Sequence, residues 1–449
     1  MAEIGPRVKM SVSDTIFALS SAPGLSGVAV VRVSGSRVGE AIRSLRLGSL
    51  SPRRAKLARL IDPASGELID SGLALLFPAP ASFTGEDVLE LHVHGGRAVV
   101  AAVLAALSNL SRLRLAEPGE FTRRAFHNGK LDLTEAEGLA ALLTAETEAQ
   151  RRSALRVAGG ELRDLYEGWR EKLIEAMALM EAAIDFSDEA DVAADASAQA
   201  VRDLQSAIAT HLNDNRRGEI LRDGLRVVLA GPPNAGKSSL LNALARRDVA
   251  IVSPEPGTTR DVIEARLDLG GYPVIVSDTA GIREAPSGAI EQEGIRRTFA
   301  SSQDADIVLW LIDSTDPVPN PPAELASVGQ LLLRVRSKAD LAGPATVAGA
   351  PAISTKTGAG LDDLLAALTS HARERIGDGS LAAIITARQR ALLTETTRGL
   401  EAFLGGSPDA IELRAEDLRQ AAQSLGRLTG RVDVEDVLDR VFSAFCIGK

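Results

Sequence analysis

The chain is short of cysteine, aromatic residues and long apolar runs. Cys446 is the single cysteine in 449 residues and stands three places before the C-terminal Lys449. One thiol excludes an intramolecular disulfide framework and a cysteine-rich zinc site, and it suits a reducing compartment. Aromatic residues make up 3% of the chain, so Leu, Ala, Val and Ile must fill its cores. No apolar run approaches the roughly 20 residues that span a bilayer, and Met1–Asp14 lacks the apolar centre of a signal peptide. A cytoplasmic protein without a membrane partner is the expectation. Positive charge is also in deficit, with a net charge of −10, which argues against a chain coated in nucleic-acid-binding surface. The deficit is uneven: residues 1–130 carry 16 Lys/Arg against 11 Asp/Glu, a net of +5, and the remainder 34 against 49, a net of −15. The basic run SPRRAKLAR (Ser51–Arg59) is either a phosphate contact or a solvated face.

What is present is an ordinary globular composition, 45% hydrophobic and 24% charged, in a length that predicts two or three domains. Residues 14–125 read as mixed α/β. GVAVVRVSG (Gly27–Gly35), SGLALLFPAP (Ser71–Pro80) and DVLELHVHGG (Asp87–Gly96) have strand character, and RAVVAAVLAALSNL (Arg97–Leu110) that of a helix. From about Leu131 the period becomes helical. Thr134 with Glu137 has capping-box spacing. Leu155, Leu162, Leu165, Trp169, Leu173, Met177, Met180 and Ile184 recur at mostly three- and four-residue steps. Long bundle helices are expected through about Leu221, interrupted near Val157–Gly160 and near Asp185–Asp191. Strand and helix then alternate from Leu225 to about Ser370, which predicts a largely parallel sheet, and helical periodicity returns to the end. The expected fold class is multidomain α/β plus α. The predicted parts are an α/β domain over 1–127, a helical domain over 128–221 and 374–449, and an inserted Ras-like P-loop domain over 222–373.

The strongest motif is G-x-x-x-x-G-K-S, from Gly231 through Gly236, Lys237 and Ser238, between an apolar run and a Leu/Ala-rich helix. Glycines let backbone amides close around phosphates, and a helix N-terminus adds a positive dipole. Lys237 should pair with the β- and γ-phosphates and Ser238 should ligate Mg²⁺. Asn234, Ala235, Gly236 and Ser239 complete the cradle. DTAG (Asp278, Thr279, Ala280, Gly281) follows a strand and puts Asp278 near Mg²⁺. PGTTRD supplies Thr259 as a second hydroxyl ligand. SKAD (Ser337, Lys338, Asp340) offers a carboxylate that can accept both N1–H and the N2 amine of guanine, and adenine has no such donor pair. ISTKTG (Ser354, Thr355, Lys356) adds the last base contact. Four elements in this order predict a GTPase and disfavour an ATPase.

Two departures stand out. Ser337 occupies a position where translational GTPases usually carry Asn, so one tether is lost and weaker guanine binding is expected. Ile282 follows DTAG where signalling GTPases place the Gln that orients water. Asn234 is a candidate to help hold a monovalent cation, and the carboxylates of Arg283–Gly294 are candidates to orient water or simply solvated charges.

Beyond these motifs, the segments DTIFALSSAPGLSGVAVVRVSG (Asp14–Gly35), SFTGEDVLELHVHGG (Ser82–Gly96), PGEFTRRAFHNGKLDL (Pro118–Leu133), EAAIDF (Glu181–Phe186) and the terminal CIGK resemble the MnmE/TrmE family of tRNA uridine 5-carboxymethylaminomethylation GTPases. The resemblance implies an N-terminal domain that dimerises and binds 5-formyl-tetrahydrofolate or methylene-tetrahydrofolate, with Arg32, Glu90, Lys130 and Lys449 as folate-site candidates. It implies hydrolysis stimulated by K⁺ held by Asn234, Ser253, Thr258 and the backbone of Glu255. It also implies Glu291 as the water-orienting carboxylate, with Glu293 its nearest rival. A homodimer working with an FAD-carrying MnmG-type flavoprotein on C5 of the wobble uridine (position 34) of certain tRNAs is the implied activity. The resemblance makes Cys446 a thiol of the modification chemistry; prenylation fits CIGK poorly, and burial as a small apolar residue is the bland alternative. A ribosome-assembly GTPase that binds rRNA is the rival reading, and it predicts a basic RNA-binding stripe.

Overall fold

The computed structural model describes residues 14–185, 190–213, 216–251, 264–278, 305–315, 321, 331–341, 350–377, 386–407, 410–432, 438, 441–442, 445 and 447–448. The chain divides into two compact units. One is Met1–Ala140 with Gly426–Lys449, and the other is Ala141–Leu425.

The first unit begins β1 (Thr15–Leu19), β2 (Ser26–Ser34), α1 (Val38–Ser44), β3 (Lys56–Ile61), β4 (Leu68–Phe77), β5 (Val88–Gly95), α2 (Arg97–Ser108), β6 (Leu113–Leu115), α3 (Glu120–His127) and α4 (Leu133–Thr144). Its six strands lie in the order β3-β4-β5-β2-β1-β6. Neighbours are antiparallel except β1 and β6. Period-two alternation sorts β5: Leu89, Leu91 and Val93 are buried with Val31 and Val33 of β2, under Val38, Ala41, Val103 and Leu107 of the two helices. Glu90 and His92 therefore point to the opposite face, and the β2–β5 register sets Arg32 directly across from Glu90.

The predicted strands and the Arg97 helix are present within a few residues of their expected bounds. The Thr134 cap is not. The reciprocal pair is Asp132 and Glu135: Asp132 Oδ1 accepts from the Glu135 amide at 2.7 Å, and Glu135 Oε2 accepts from the Asp132 amide at 2.8 Å. Thr134 lies inside the helix and donates to Asp132 Oδ1. A carboxylate at the N-cap outcompetes the hydroxyl two residues on. The end of the chain returns to this unit, where Leu438, Phe442 and Phe445 pack with Leu133 and Ala136.

The second unit holds α5 (Glu148–Ala158), α6 (Glu161–Asp185), α7 (Ala190–Leu212), α8 (Arg217–Asp223), β7 (Leu225–Ala230), α9 (Lys237–Ala245), β8 (Glu264–Leu269), β9 (Tyr272–Asp278), β10 (Ile307–Asp313), β11 (Leu331–Ser337), α10 (Leu361–Ile376) and α11 (Ala387–Gly405); α12 (Ile411–Thr429) follows. The helical part is a bundle of α6, α7 and α11. The buried stripe of α6 is Leu162, Tyr166, Trp169, Leu173, Ala176 and Met180. Leu155 and Ile184, which share the expected period, are exposed; Leu155 stands on α5, before the break that Gly160 makes at φ 96°. The five-stranded sheet has the order β11-β10-β7-β9-β8, parallel apart from the β8–β9 hairpin. Its centre is β7, flanked by β10 and β9, so the carboxyl ends of these strands form the switch point at which open α/β sheets bind ligands.

Candidate functional site

Four predicted elements converge on those carboxyl ends. The loop after β7 opens at Gly231, with φ 141°, where a Cβ would press on the Leu311 carbonyl of the neighbouring strand. It closes at Gly236, the N-cap of α9, with φ 91°, and Asn234 between them also has positive φ, at 64°. This backbone leaves the first amides of α9 free to face an anion. The Lys237 ammonium curls over the loop and donates to the carbonyls of Gly231 and Pro232, each at 2.9 Å. Burial holds it below the ordinary lysine range, and the Asp278 carboxylate opposes that shift.

The next residue, Ser238, donates through Oγ to Asp278 Oδ2 at 2.6 Å. Asp278 ends β9 and is 3% exposed. A hydroxyl and a carboxylate oxygen meeting beside a helix N-terminus form the hard-oxygen donor set that suits Mg²⁺ next to phosphates.

The end at which the sequence places the base contacts is built from the next two strands, with Asp313 and Ser337 as register partners at their tips. Ser337 is buried, and its hydroxyl donates to the Ala235 carbonyl of the phosphate loop at 2.6 Å. Lys338, at φ 56°, pairs with Asp313 Oδ2 at 2.6 Å. That hydrogen bond holds the Asp313 carboxyl at about 2. Asp340 is exposed and accepts from Ser354 Oγ at 2.7 Å, which holds its carboxyl below the usual range. Ser354 is fully buried. Lys356 and Thr355 follow it on the same turn. Thr259, Thr279, Ala280, Gly281, Ser253, Glu255, Thr258 and Glu291 lie outside the described residues.

A second constellation occupies the face of the six-stranded sheet opposite the core that α1 and α2 cover. Arg32 donates twice to Glu90 Oε1, from Nε at 3.0 Å and Nη2 at 2.9 Å, and its guanidinium lies 5.5 Å from the Phe83 ring and 5.7 Å from the Phe121 ring. Lys130 is exposed, with its Cγ against Gly85 in the same loop as Phe83. An ionic pair flanked by two rings, with an amine nearby, suits a flat heterocycle carrying donors and an anionic tail. Cys446 and Lys449 lie outside the described residues. Ile447 bridges to Pro118, and Gly448 accepts from Ser20 Oγ at 2.9 Å.

Sequence reasoning assigned no role to Phe83, Phe121 and Asp313. Phe83 lies in a loop and Phe121 on α3, and only the scarcity of aromatic residues marks them in the sequence; Asp313 is marked as a carboxylate ending an apolar strand.

A P-loop at the switch point, a buried carboxylate on its serine and an aspartate at the base end define a guanine-nucleotide-binding protein of the P-loop class. Comparison with known proteins carries this further. The model of the MnmE helical domain matches residues 133–446, and that of the GTP-binding protein TrmE N-terminus matches residues 15–130. The tRNA modification GTPase MnmE of Parvibaculum lavamentivorans is 54% identical over 446 residues, covering 97% of this chain and all of that protein. Its counterpart in Rhodopseudomonas palustris is 52% identical over 443 residues, covering 97% of this chain and 99% of that protein. Among solved structures, the G domain of the T. maritima FeoB iron transporter is 24% identical, covering 35% of this chain and 98% of that one, with a TM-score of 0.23. The chain belongs to the MnmE family of tRNA modification GTPases. Among the described residues no helix is long and apolar enough to cross a membrane.

Proposed function

We propose that this chain works in the cytoplasm as a homodimer with an FAD-carrying MnmG-type flavoprotein, adding a carboxymethylaminomethyl or aminomethyl group to C5 of the wobble uridine of certain tRNAs. The observation that carries the reading is where the C-terminal tail docks. Gly448 lies against Leu19 and Ser20. Leu19 is the register partner of Val31, one residue from Arg32. Gly448 is thus tied to the end of β1, the strand that neighbours the one carrying Arg32, and this supports the reading.

In this reading the parts are an α/β folate-binding and dimerisation domain over 1–127, a helical domain over 128–221 and 374–449, and the GTPase domain over 222–373. Arg32, Glu90, Lys130 and Lys449 hold a formyl- or methylene-tetrahydrofolate, which when bound supplies the one-carbon unit. Cys446 is the thiol of the carbon chemistry. At the other site Lys237 and the α9 amides hold the phosphates, and Ser238 with Thr259 holds Mg²⁺. Asp340 selects guanine with the help of Ser337, Ser354 and their neighbours. Ile282 has no group with which to orient water, so Glu291 takes that task. K⁺, bound by Asn234, Ser253, Glu255 and Thr258, supplies positive charge at the phosphates. Hydrolysis rearranges domains and does not itself drive the carbon chemistry.

Two measurements test the proposal. Deleting the gene should abolish the modified wobble nucleosides in tRNA analysed by mass spectrometry; an unchanged nucleoside profile overturns the tRNA chemistry. Purified protein should turn over GTP at least tenfold faster in K⁺ than in Na⁺, and equal rates overturn the cation role.

A further inference from the structure

The chain is acidic, yet one stretch of the first unit is strongly basic. Residues 37–59 contain Arg37, Arg43, Arg46, Arg53, Arg54, Lys56 and Arg59 against a single acid, Glu40. Glu40 is consumed by Arg37 at 2.7 Å. Of the next acids in the chain, Asp62 accepts from the Ala64 amide and the Ser65 hydroxyl in its own turn and Asp70 pairs with His94, which leaves Glu67, exposed beyond the end of β3, as the one nearby acid without such a bond among the described residues. A merely solvated face would interleave acids with its bases; this one does not.

The fold gathers these cations on one rim. The Leu45 carbonyl at the end of α1 accepts from the Ile61 amide of β3. Lys56 Nζ donates to the carbonyls of Leu47 and Ser49, and Arg53 donates to the Ala81 carbonyl beside the Phe77 ring. These bonds brace the α1–β3 connection against the edge of the sheet, where, among the described residues, β3 has no further strand beyond it. Arg43, Arg46, Arg54 and Arg59 are all exposed, and among the described residues none has an ion pair. Arginine presents a planar fork of donors that matches phosphate oxygens, and accumulated unpaired cations on a sheet rim form the electrostatic footprint of a nucleic-acid-binding face.

We propose that this rim, centred on Arg43, Arg46, Arg54 and Arg59, is the surface on which the chain receives the sugar-phosphate backbone of its tRNA. Its contacts are with phosphates, so it positions the tRNA and does not read its sequence.

The test is tRNA binding to the full-length protein alone, by filter retention or fluorescence anisotropy, from about 50 to about 200 mM salt. The variant carrying Arg43→Glu, Arg46→Glu, Arg54→Glu and Arg59→Glu should bind tRNA at least tenfold more weakly, with a log K against log salt slope shallower by about 3. Its GTP affinity should equal the parent's, because none of the four is among the residues of the nucleotide site. A Lys version of the same four should bind tRNA within a few-fold of the parent. If the Glu variant fails to bind GTP, the Gln version at the same four positions replaces it. Parental tRNA affinity and slope in the charge-removed protein overturn the proposal. Loss of flavoprotein association with tRNA binding intact also overturns it and assigns the rim to a protein.

Discussion

Replacing Gly448 with alanine should undock the C-terminal tail and stop tRNA modification while leaving GTP hydrolysis intact. Gly448 has φ 98°, where an L-residue costs about 1–2 kcal/mol. A Cβ there would overlap the Leu19 carbonyl oxygen and stand 2.9 Å from Ser20 Cα. Both obstacles are backbone of β1 and the residue after it, so no rotamer change relieves them, and the total penalty is about 2–3 kcal/mol. What holds the tail is the Ser20–Gly448 hydrogen bond and the Ile447–Pro118 bridge, each worth about 1 kcal/mol. A penalty of that size cancels both and lowers the docking equilibrium constant about 30- to 150-fold. Nucleoside mass spectrometry of tRNA from cells carrying the variant alone reads the chemistry, GTP turnover reads the other site, and carboxypeptidase release of Lys449 reads the tail itself. Ser20→Ala, which removes one hydrogen bond, should show the same direction at about fivefold. Full modification by the Gly448→Ala protein, with its tail as resistant to carboxypeptidase as the parent's, refutes the reasoning.

Two further outcomes follow from buried and exposed carboxylates. Glu120, 2% exposed, accepts from Arg114 at 2.7 and 2.8 Å and from Arg124 at 3.0 Å. Burial pushes its carboxyl up, but Arg114, the Glu117 amide and Arg124 outweigh that and hold it below the ordinary 4.5. Its stabilisation is therefore complete above about pH 4.5 and is lost as pH falls through the lower folded value. Glu120→Gln should lower stability by about 3 kcal/mol at neutral pH and flatten the acid limb of the melting-temperature profile; an unchanged profile counts against this account. Asp340→Asn should weaken GDP binding at least tenfold and shift preference toward xanthosine nucleotides, because the amide offers a donor where the carboxylate accepts; competition binding that still favours guanine would assign base selection elsewhere.

Legibility followed the range of the interaction. The phosphate loop was readable because every requirement is local: two glycines, a lysine and a serine at fixed spacing between a strand and a helix. The alternation in Val88–Gly95 likewise placed Glu90 opposite the core face. The Asp132 cap was misread because hydroxyl and carboxylate compete within two residues, and the choice depends on backbone geometry that spacing does not specify. The contacts of the Phe83 and Phe121 rings with Arg32 were not legible, since a loop, a helix and a strand bring them together; nor was the Asp313–Lys338 pair, which depends on the β10–β11 register. The true stripe of α6 includes Tyr166 and Ala176; Leu155 falls outside it because the break at Gly160 precedes the helix, and Ile184, in the last turn of α6, is exposed.

Ser337 shows how a departure from a motif can be absorbed. From sequence, a hydroxyl in place of an amide loses a tether, and the question is which one. The hydroxyl has one hydrogen, and the Ala235 carbonyl takes it at 2.6 Å; the Ile312 carbonyl is more distant, at 3.3 Å. The link from β11 to the phosphate loop therefore survives, and no donor remains to address a base. In the proposed reading, Asp340, oriented by the buried Ser354, is left to distinguish guanine from adenine. Ser337 thus separates two tasks that an amide, with two N–H bonds, can perform together: the hydroxyl keeps the link to the loop, and base affinity is the quantity expected to fall.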